Sequence, residues 1–354
     1  MKSIEKIFAL FLFFVPVTVI AVFAHASSPW LFFLSAIAIV PLAKYIGQAT
    51  EELAARTGAA WGGLLNVTFG NATELIISAF ALRAGLIEVV KASLTGSIIG
   101  NLLLVLGTAI FVGGFRHKKQ EFNKTGASAA GSTLFLAVTA LVLPALLASA
   151  APGTGSSAVE TMSQLTAICM IIMYGASLLF SLHTHKHLYA EEGRAVEQSE
   201  GAWSTRKSIA VLLFSTLAVA WMSDILVGAI DPIARSFGWT ELFIGVVFVA
   251  IIGNAAEHAS AITMAIKDKM SLALQISIGS ATQIAMFVAP VLVFVSLLFQ
   301  NQMTLVFNTF ELMSILLSVV IVNLVIQDGE TNWLEGAQLL IAYVIMATAF
   351  FLHP

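Results

Sequence analysis

Two five-residue segments place the same polar side chains inside apolar surroundings: Gly70-Asn71-Ala72-Thr73-Glu74 and Gly253-Asn254-Ala255-Ala256-Glu257. A carboxylate in the interior of a bilayer is energetically expensive, so it is rare there and usually functional. In each segment the asparagine lies three residues before the glutamate and the glycine four before it, which on a helix puts all three on one face. A Gly-Asn pair also favours a locally unwound or kinked backbone, whose freed carbonyl oxygens can face a site. Glu74, Glu257, Asn71, Asn254 and the backbone at Gly70 and Gly253 thus offer carboxylate, amide and carbonyl oxygens. These are hard donors that suit Ca²⁺ rather than a soft metal. Two carboxylates in a low-dielectric site cannot both stay bare, because desolvation and mutual repulsion oppose the doubly charged state. They titrate as a coupled pair. A divalent cation neutralises both, and so do protons, which is what an exchange site requires. For either glutamate alone the plain alternative is a helix-packing hydrogen bond by a protonated acid; the symmetric pair argues against it.

The two segments belong to a longer internal repeat. The offset of 183 residues that relates them also carries Gly96-Ser97 onto Gly279-Ser280 and Gly62 onto Gly245, without a gap. Thr50-Glu51 resembles Ser223-Asp224 at a different offset. Ser97 and Ser280 therefore match, and Asn101 and Gln283 are amides one turn beyond them. These four side chains complete coordination, orient the glutamates, or act as interhelical glue. His258 follows Glu257 directly, but Leu75 holds the matching place in the first copy. Its candidate role is a proton relay, with packing the default, since adjacent helix positions point about 100° apart. Glu51, Glu52 and Asp224 read as lying at the cytoplasmic ends of the second and seventh spans, where they form an acidic entrance or an ordinary solvated boundary.

These residues must be carried by membrane helices. Of 354 residues, 58% are hydrophobic and 10% charged; a soluble domain carries about 25% charged residues. Eleven apolar runs lie near 5–24, 30–53, 61–83, 88–112, 127–149, 159–182, 207–230, 239–266, 270–299, 304–326 and 334–352. Each suits a helix crossing a bilayer, and none alternates as a barrel strand does. The expected fold is an all-α polytopic membrane protein with eleven transmembrane helices. It divides into an N-terminal helix (1–28), a first five-helix repeat (29–182), a linker (183–207) and a second five-helix repeat (208–354). Five is odd, so the second copy enters from the opposite side, giving an inverted-topology repeat with its site at the midplane. Pro144 and Pro290 are expected to kink their helices.

The first span also resembles a signal peptide, with Lys2 and Lys6 before the apolar run and Ala24-His25-Ala26 after it; its length favours retention as a helix. With the N-terminus cytoplasmic, thirteen Lys and Arg fall in inside segments and three (Arg83, Lys91, Arg235) outside, while Lys44 lies within a span. The positive-inside rule then puts the C-terminus outside, and the expected location is the inner (plasma) membrane. The linker carries His183, His185 and His187 and then Glu191, Glu192, Glu197 and Glu200. It reads as a solvated connection, with an acidic cation sensor or a transition-metal site as alternatives. A net charge of −3 gives no case for nucleic acid, and the single Cys169 gives no disulfide framework. No nucleotide-binding loop is visible, so transport energy must come from an ion gradient. The expectation is a transporter rather than an enzyme, without a cofactor.

At these motifs the sequence resembles the cation/proton exchanger (CAX) family, the Ca²⁺/H⁺ antiporters of the Ca²⁺/cation antiporter superfamily. The resemblance rests on the Gly70–Ile76 and Gly253–His258 segments, on Leu94–Leu103 and Gln275–Ser280, and on Thr50-Glu51-Glu52-Leu53-Ala54. It implies export of cytosolic Ca²⁺ against an inward proton gradient. It also implies cation binding by Glu74 and Glu257 beside Asn71 and Asn254, a vestibule role for Glu51, Glu52 and Asp224, and a homo-oligomer, a trimer. Alternatives within transport are Na⁺/Ca²⁺ exchange, exchange of another divalent ion such as Mn²⁺, and a Ca²⁺ channel. One acidic motif per half argues against the channel, because pores use a ring of like groups.

Overall fold

Long apolar runs can satisfy their backbone in lipid only by coiling, and helices fill this chain. The computed structural model describes residues 8–150, 156–185 and 203–353, the side chains of 58–61, 63, 64, 67 and 156 excepted. In order the helices are α1 (Phe8–Phe23), α2 (Ser28–Gly70), α3 (Ala72–Arg83), α4 (Ile87–Arg116), α5 (Lys124–Ala150), α6 (Ser157–Thr184), α7 (Thr205–Gly228), α8 (Ile230–Phe237), α9 (Glu241–Gly253), α10 (Ala255–Ile266), α11 (Met270–Ser296), α12 (Thr309–Val325) and α13 (Trp333–Leu352).

Among the described residues, seven helices are long and apolar enough to cross a membrane, α7 and α8 counting together as one; α9 and α10, bent by 63°, make an eighth when taken as one span. This is fewer than eleven, for physical reasons. The third apolar run is split at Asn71, which leaves α3 with 12 residues, and α12 has 17; α1 is likewise short. The 43-residue α2 is sharply bent. A Cβ on Gly62 would lie 2.8 Å from the carbonyl oxygen of Ala54, whereas eight residues of straight helix rise about 12 Å.

Two backbone irregularities recur at the spacing of the sequence repeat. The helix breaks at Asn71 (φ −100°, ψ 17°) and again at Asn254 (φ −103°, ψ 9°). π-helical turns occupy Gly100–Val105 in α4 and Ile284–Val288 in α11. Such turns concentrate at functional sites. Pro290, just past the second, lacks the N–H that would continue an α-helical ladder. Pro144 lies inside α5.

Burial separates an inner from an outer set of helices. The most apolar windows of α4 and α11 are 72% and 67% buried, against 22–33% for α5, α6, the α7–α8 span and α13. The outer helices therefore expose Leu, Ile and Phe to what must be lipid. Where α4 crosses α9, a Cβ on Gly96 would overlap the carbonyl oxygen of Val246, so only glycine permits the approach. At one end of the bundle β1 (Gln120–Glu121) pairs antiparallel with β2 (Glu330–Thr331), Gln120 opposite Thr331. Lys119 bridges Glu121 at 3.2 Å and Glu330, while Gln120 donates to the carbonyl of Ala265 at 2.9 Å. That clasp fixes the end of α10.

Candidate cation site

The break at Asn71 starts α3 three residues before Glu74, and the break at Asn254 starts α10 three residues before Glu257. Each motif thus sits where a helix restarts inside the bundle. The two motifs meet: a Cβ on Gly253 would lie 2.8 Å from Cγ of Glu74. Asn254, of the second motif, donates through Nδ2 to Oε1 of Glu74, of the first, at 2.6 Å. Ser97 on α4 donates to the same oxygen at 2.5 Å, and Asn254 Nδ2 also reaches Ser97 Oγ at 2.8 Å. Asn101 donates to Ser280 Oγ at 2.9 Å and to Asn254 Oδ1 at 3.3 Å; Ser280 donates to that same Oδ1 at 3.4 Å. Asn71 donates to Oε1 of Gln283 at 2.7 Å. One connected network therefore holds Glu74, Ser97, Asn101, Asn254 and Ser280, and a separate pair joins Asn71 to Gln283.

Burial is steep here. Glu74 is 8% exposed, Asn254 1%, Ser97 3% and Asn101 0%. Asn101 Oδ1 is a buried oxygen with no hydrogen-bond partner among the described residues, so a spare hard donor belongs to a residue of this network. Among those residues Glu74, Lys91 and Glu311 are the buried Asp, Glu, Lys or Arg side chains. Glu311 caps α12, its Oε2 accepting the Asn308 N–H at 3.0 Å.

Glu257 is placed differently from its repeat partner. It is half-buried and lines a cavity of about 450 Å³ with Glu51, Gln48, Lys44, Ser260, Thr263 and Lys267. Glu74 and Glu51 are within electrostatic reach of it. The two glutamates expected inside apolar spans therefore differ: Glu74 is buried with donors on Oε1, and Glu257 faces open space. His258 is half-buried beside it and takes no part in the network.

The acidic trio divides. Glu51 lines the cavity, and Glu52 accepts the Trp203 N–H at 3.2 Å. Asp224 does not line that cavity: it pairs with Arg83 at 2.8 Å, at the far end of α3. Of the linker residues, 186–202 fall outside the described residues, including His187 and the four glutamates; His185 stacks on Phe180 at 4.0 Å. Lys44, Gln48, Ser260 and Thr263 were not singled out in the sequence. The available signal was two polar stripes at helical spacing within apolar runs, Lys44-Gln48-Glu51 and Glu257-Ser260.

Comparison with known proteins shows what the whole chain is similar to. The model of the sodium/calcium exchanger protein family matches residues 27–183 and 207–352. The chain is 47% identical over 369 residues to a Ca²⁺/H⁺ antiporter of Synechocystis sp., covering 100% of this chain and 99% of that one. It is 48% identical over 341 residues to the Ca²⁺/H⁺ antiporter ChaA of Bacillus subtilis, covering 96% of each. The solved structure of native YfkE superposes with a TM-score of 0.85 at 45% identity, covering 98% of this chain and 100% of that chain. A crystal structure of the H⁺/Ca²⁺ exchanger CAX shares the fold, with a TM-score of 0.73 at 15% identity and 99% and 93% coverage.

Proposed function

The chain belongs to the sodium/calcium exchanger protein family, as a CAX-type Ca²⁺/H⁺ antiporter, and from that premise we propose how its residues carry the exchange. Glu74 and Glu257 bind the transported Ca²⁺ or protons in alternation. The observation that carries this reading is the contact of the two motifs, Asn254 of one donating to Glu74 of the other at 2.6 Å. In the arrangement seen, Oε1 of Glu74 accepts from both Ser97 and Asn254. For Ca²⁺ to take their place, the Asn254 amide turns its oxygen inward and Ser97 offers its lone pairs. Asn101 Oδ1 adds a further oxygen. Glu257, on the cavity wall, is the first of the pair to meet an incoming ion.

The helix breaks and π turns recurring at the repeat spacing support eleven spans arranged as two inverted five-helix repeats after one N-terminal helix. The excess of Lys and Arg supports a cytoplasmic N-terminus and an external C-terminus in the plasma membrane. The cavity, bounded by Glu51 and Lys267, then opens to the cytoplasm. Asn71 and Gln283 position the start of α3 against α11. The family resemblance supports a homo-oligomer.

Exchange for protons and exchange for sodium are separated in proteoliposomes holding the purified protein. A Ca²⁺ gradient is expected to move protons, reported by an internal pH dye, with Na⁺ absent. Ca²⁺ uptake that ran only on a sodium gradient would support the family's other exchange mode instead.

A further inference from the structure

Inside the cavity that exposes Glu257 there is a positive charge that the binding scheme does not use. Lys44 lies on α2, seven residues before Glu51 on the same face, and both line that cavity with Gln48 and Glu257. Its ammonium forms no ion pair among the described residues. It rests over the ring of Phe8, 4.2 Å from the centroid, and Phe8, on α1, is part of the same wall. A lysine in an apolar span ordinarily pairs with an acid or reaches the interface. Here two carboxylates share its cavity, yet the side chain is held on an aromatic face, a cation–π contact. The second cavity lysine, Lys267, lies after the last residue of α10.

We propose that Lys44 is an affinity-setting residue, a tethered cation that competes with the incoming divalent ion for Glu257 and Glu51, and that Phe8 of α1 is its resting place. This deepens the exchange reading above and rests on it. A fixed positive charge in the same cavity repels a divalent ion and weakens its capture. An exporter must release the ions it gathers, so a weakened entry site speeds turnover at high cytosolic Ca²⁺ and spares the cell's basal level. The contact with Phe8 gives α1, which stands outside the repeat, a role in the reaction. While the ammonium stays on the ring it acts only at a distance. Freed from it, the long side chain can swing among the carboxylates.

The test is the KM for Ca²⁺ at the cavity face, measured as Ca²⁺-driven proton movement in everted vesicles. Lys44→Gln is expected to lower that KM about three- to tenfold, and the change is expected to shrink as ionic strength rises, since mobile ions screen a field acting across water. Lys44→Arg, which keeps the charge, is expected to keep the wild-type KM. Phe8→Ala is expected to raise KM severalfold in the wild-type background and to have no effect in the Lys44→Gln background. Wild-type exchange with the same KM in Lys44→Gln overturns this inference alone. So does a salt-independent change, or an equal effect of Phe8→Ala in both backgrounds, because either marks Lys44 and Phe8 as packing residues. No Ca²⁺-driven proton movement in the wild type overturns the exchange reading, and this inference with it.

Discussion

At the scale of single residues, the repeat makes positions formally equivalent while the structure gives them different surroundings. Gly253 is pressed against Glu74, but a Cβ on Gly70 would meet nothing within 4 Å. Gly253→Ala is therefore expected to displace Glu74 and cut the exchange rate at least tenfold with the protein still folded, and Gly70→Ala to leave it near wild type. Proteoliposome flux normalised to reconstituted protein decides between them. Asn254 and Asn71 differ in the same way. Asn254 donates to Glu74, Ser97 and the Ala250 carbonyl, whereas Asn71 reaches Gln283. Losing a buried hydrogen bond to a charged group costs about 1.5–3 kcal/mol, so Asn254→Ala is expected to weaken exchange about tenfold to a hundredfold, and more than Asn71→Ala does. The identity of these groups was legible in the sequence, because carboxylates and amides inside apolar runs announce themselves. Their inequality was not, since a repeat encodes equivalence and the conformation adopted removes it. Lys44 escaped for another reason: it shares a polar stripe with Gln48 and Glu51, but that stripe does not show what it faces until the helices around it are placed.

At the scale of elements, close approach of backbones is the main device. Gly96 lets α4 touch α9, and Gly336 lets α13 touch α4, where a Cβ would overlap the Phe111 backbone nitrogen. Without a hydrophobic driving force between helices in lipid, small residues at crossings set the association. Gly96→Ala must push α4 and α9 apart and is expected to lower the thermal stability of the detergent-solubilised protein, by more than the roughly 1–3 kcal/mol typical of overpacking. Gly279→Ala, its repeat partner, has open space and is expected to be neutral. Size-exclusion chromatography after graded heating reads the difference. The Arg83–Asp224 pair is solvent-exposed, its side chains 61% and 53% accessible. Asp224→Ala is thus expected to change stability by less than about 1 kcal/mol and to leave the Ca²⁺ KM at the cavity face unaltered. The helix breaks were legible in the Gly-Asn pairs, and the apolar runs located the helices. The bend near Gly62 and the split of the third run reduce the helices long enough to span, a matter of backbone geometry that hydropathy does not encode. Asp224 could not be placed from the sequence, because its partner Arg83 lies 141 residues away and only the packing of α3 against α7 brings them together.

At the scale of the whole molecule, Glu74 is buried and Glu257 lines a cavity. Ser260 lines that cavity and is exposed. After removal of the natural thiol by Cys169→Ser, a cysteine introduced by Ser260→Cys is expected to react with a membrane-impermeant maleimide from the cytoplasmic side alone, and more slowly when Ca²⁺ is present. The central claim is that both glutamates carry the exchanged ions. Its most direct test compares wild type, Glu74→Gln and Glu257→Gln in proteoliposomes under an imposed Ca²⁺ gradient, with Ca²⁺ and pH recorded together. Coupled Ca²⁺ and proton movement is expected in the wild type, and the loss of both in each variant. Undiminished coupled movement in either variant would contradict the claim.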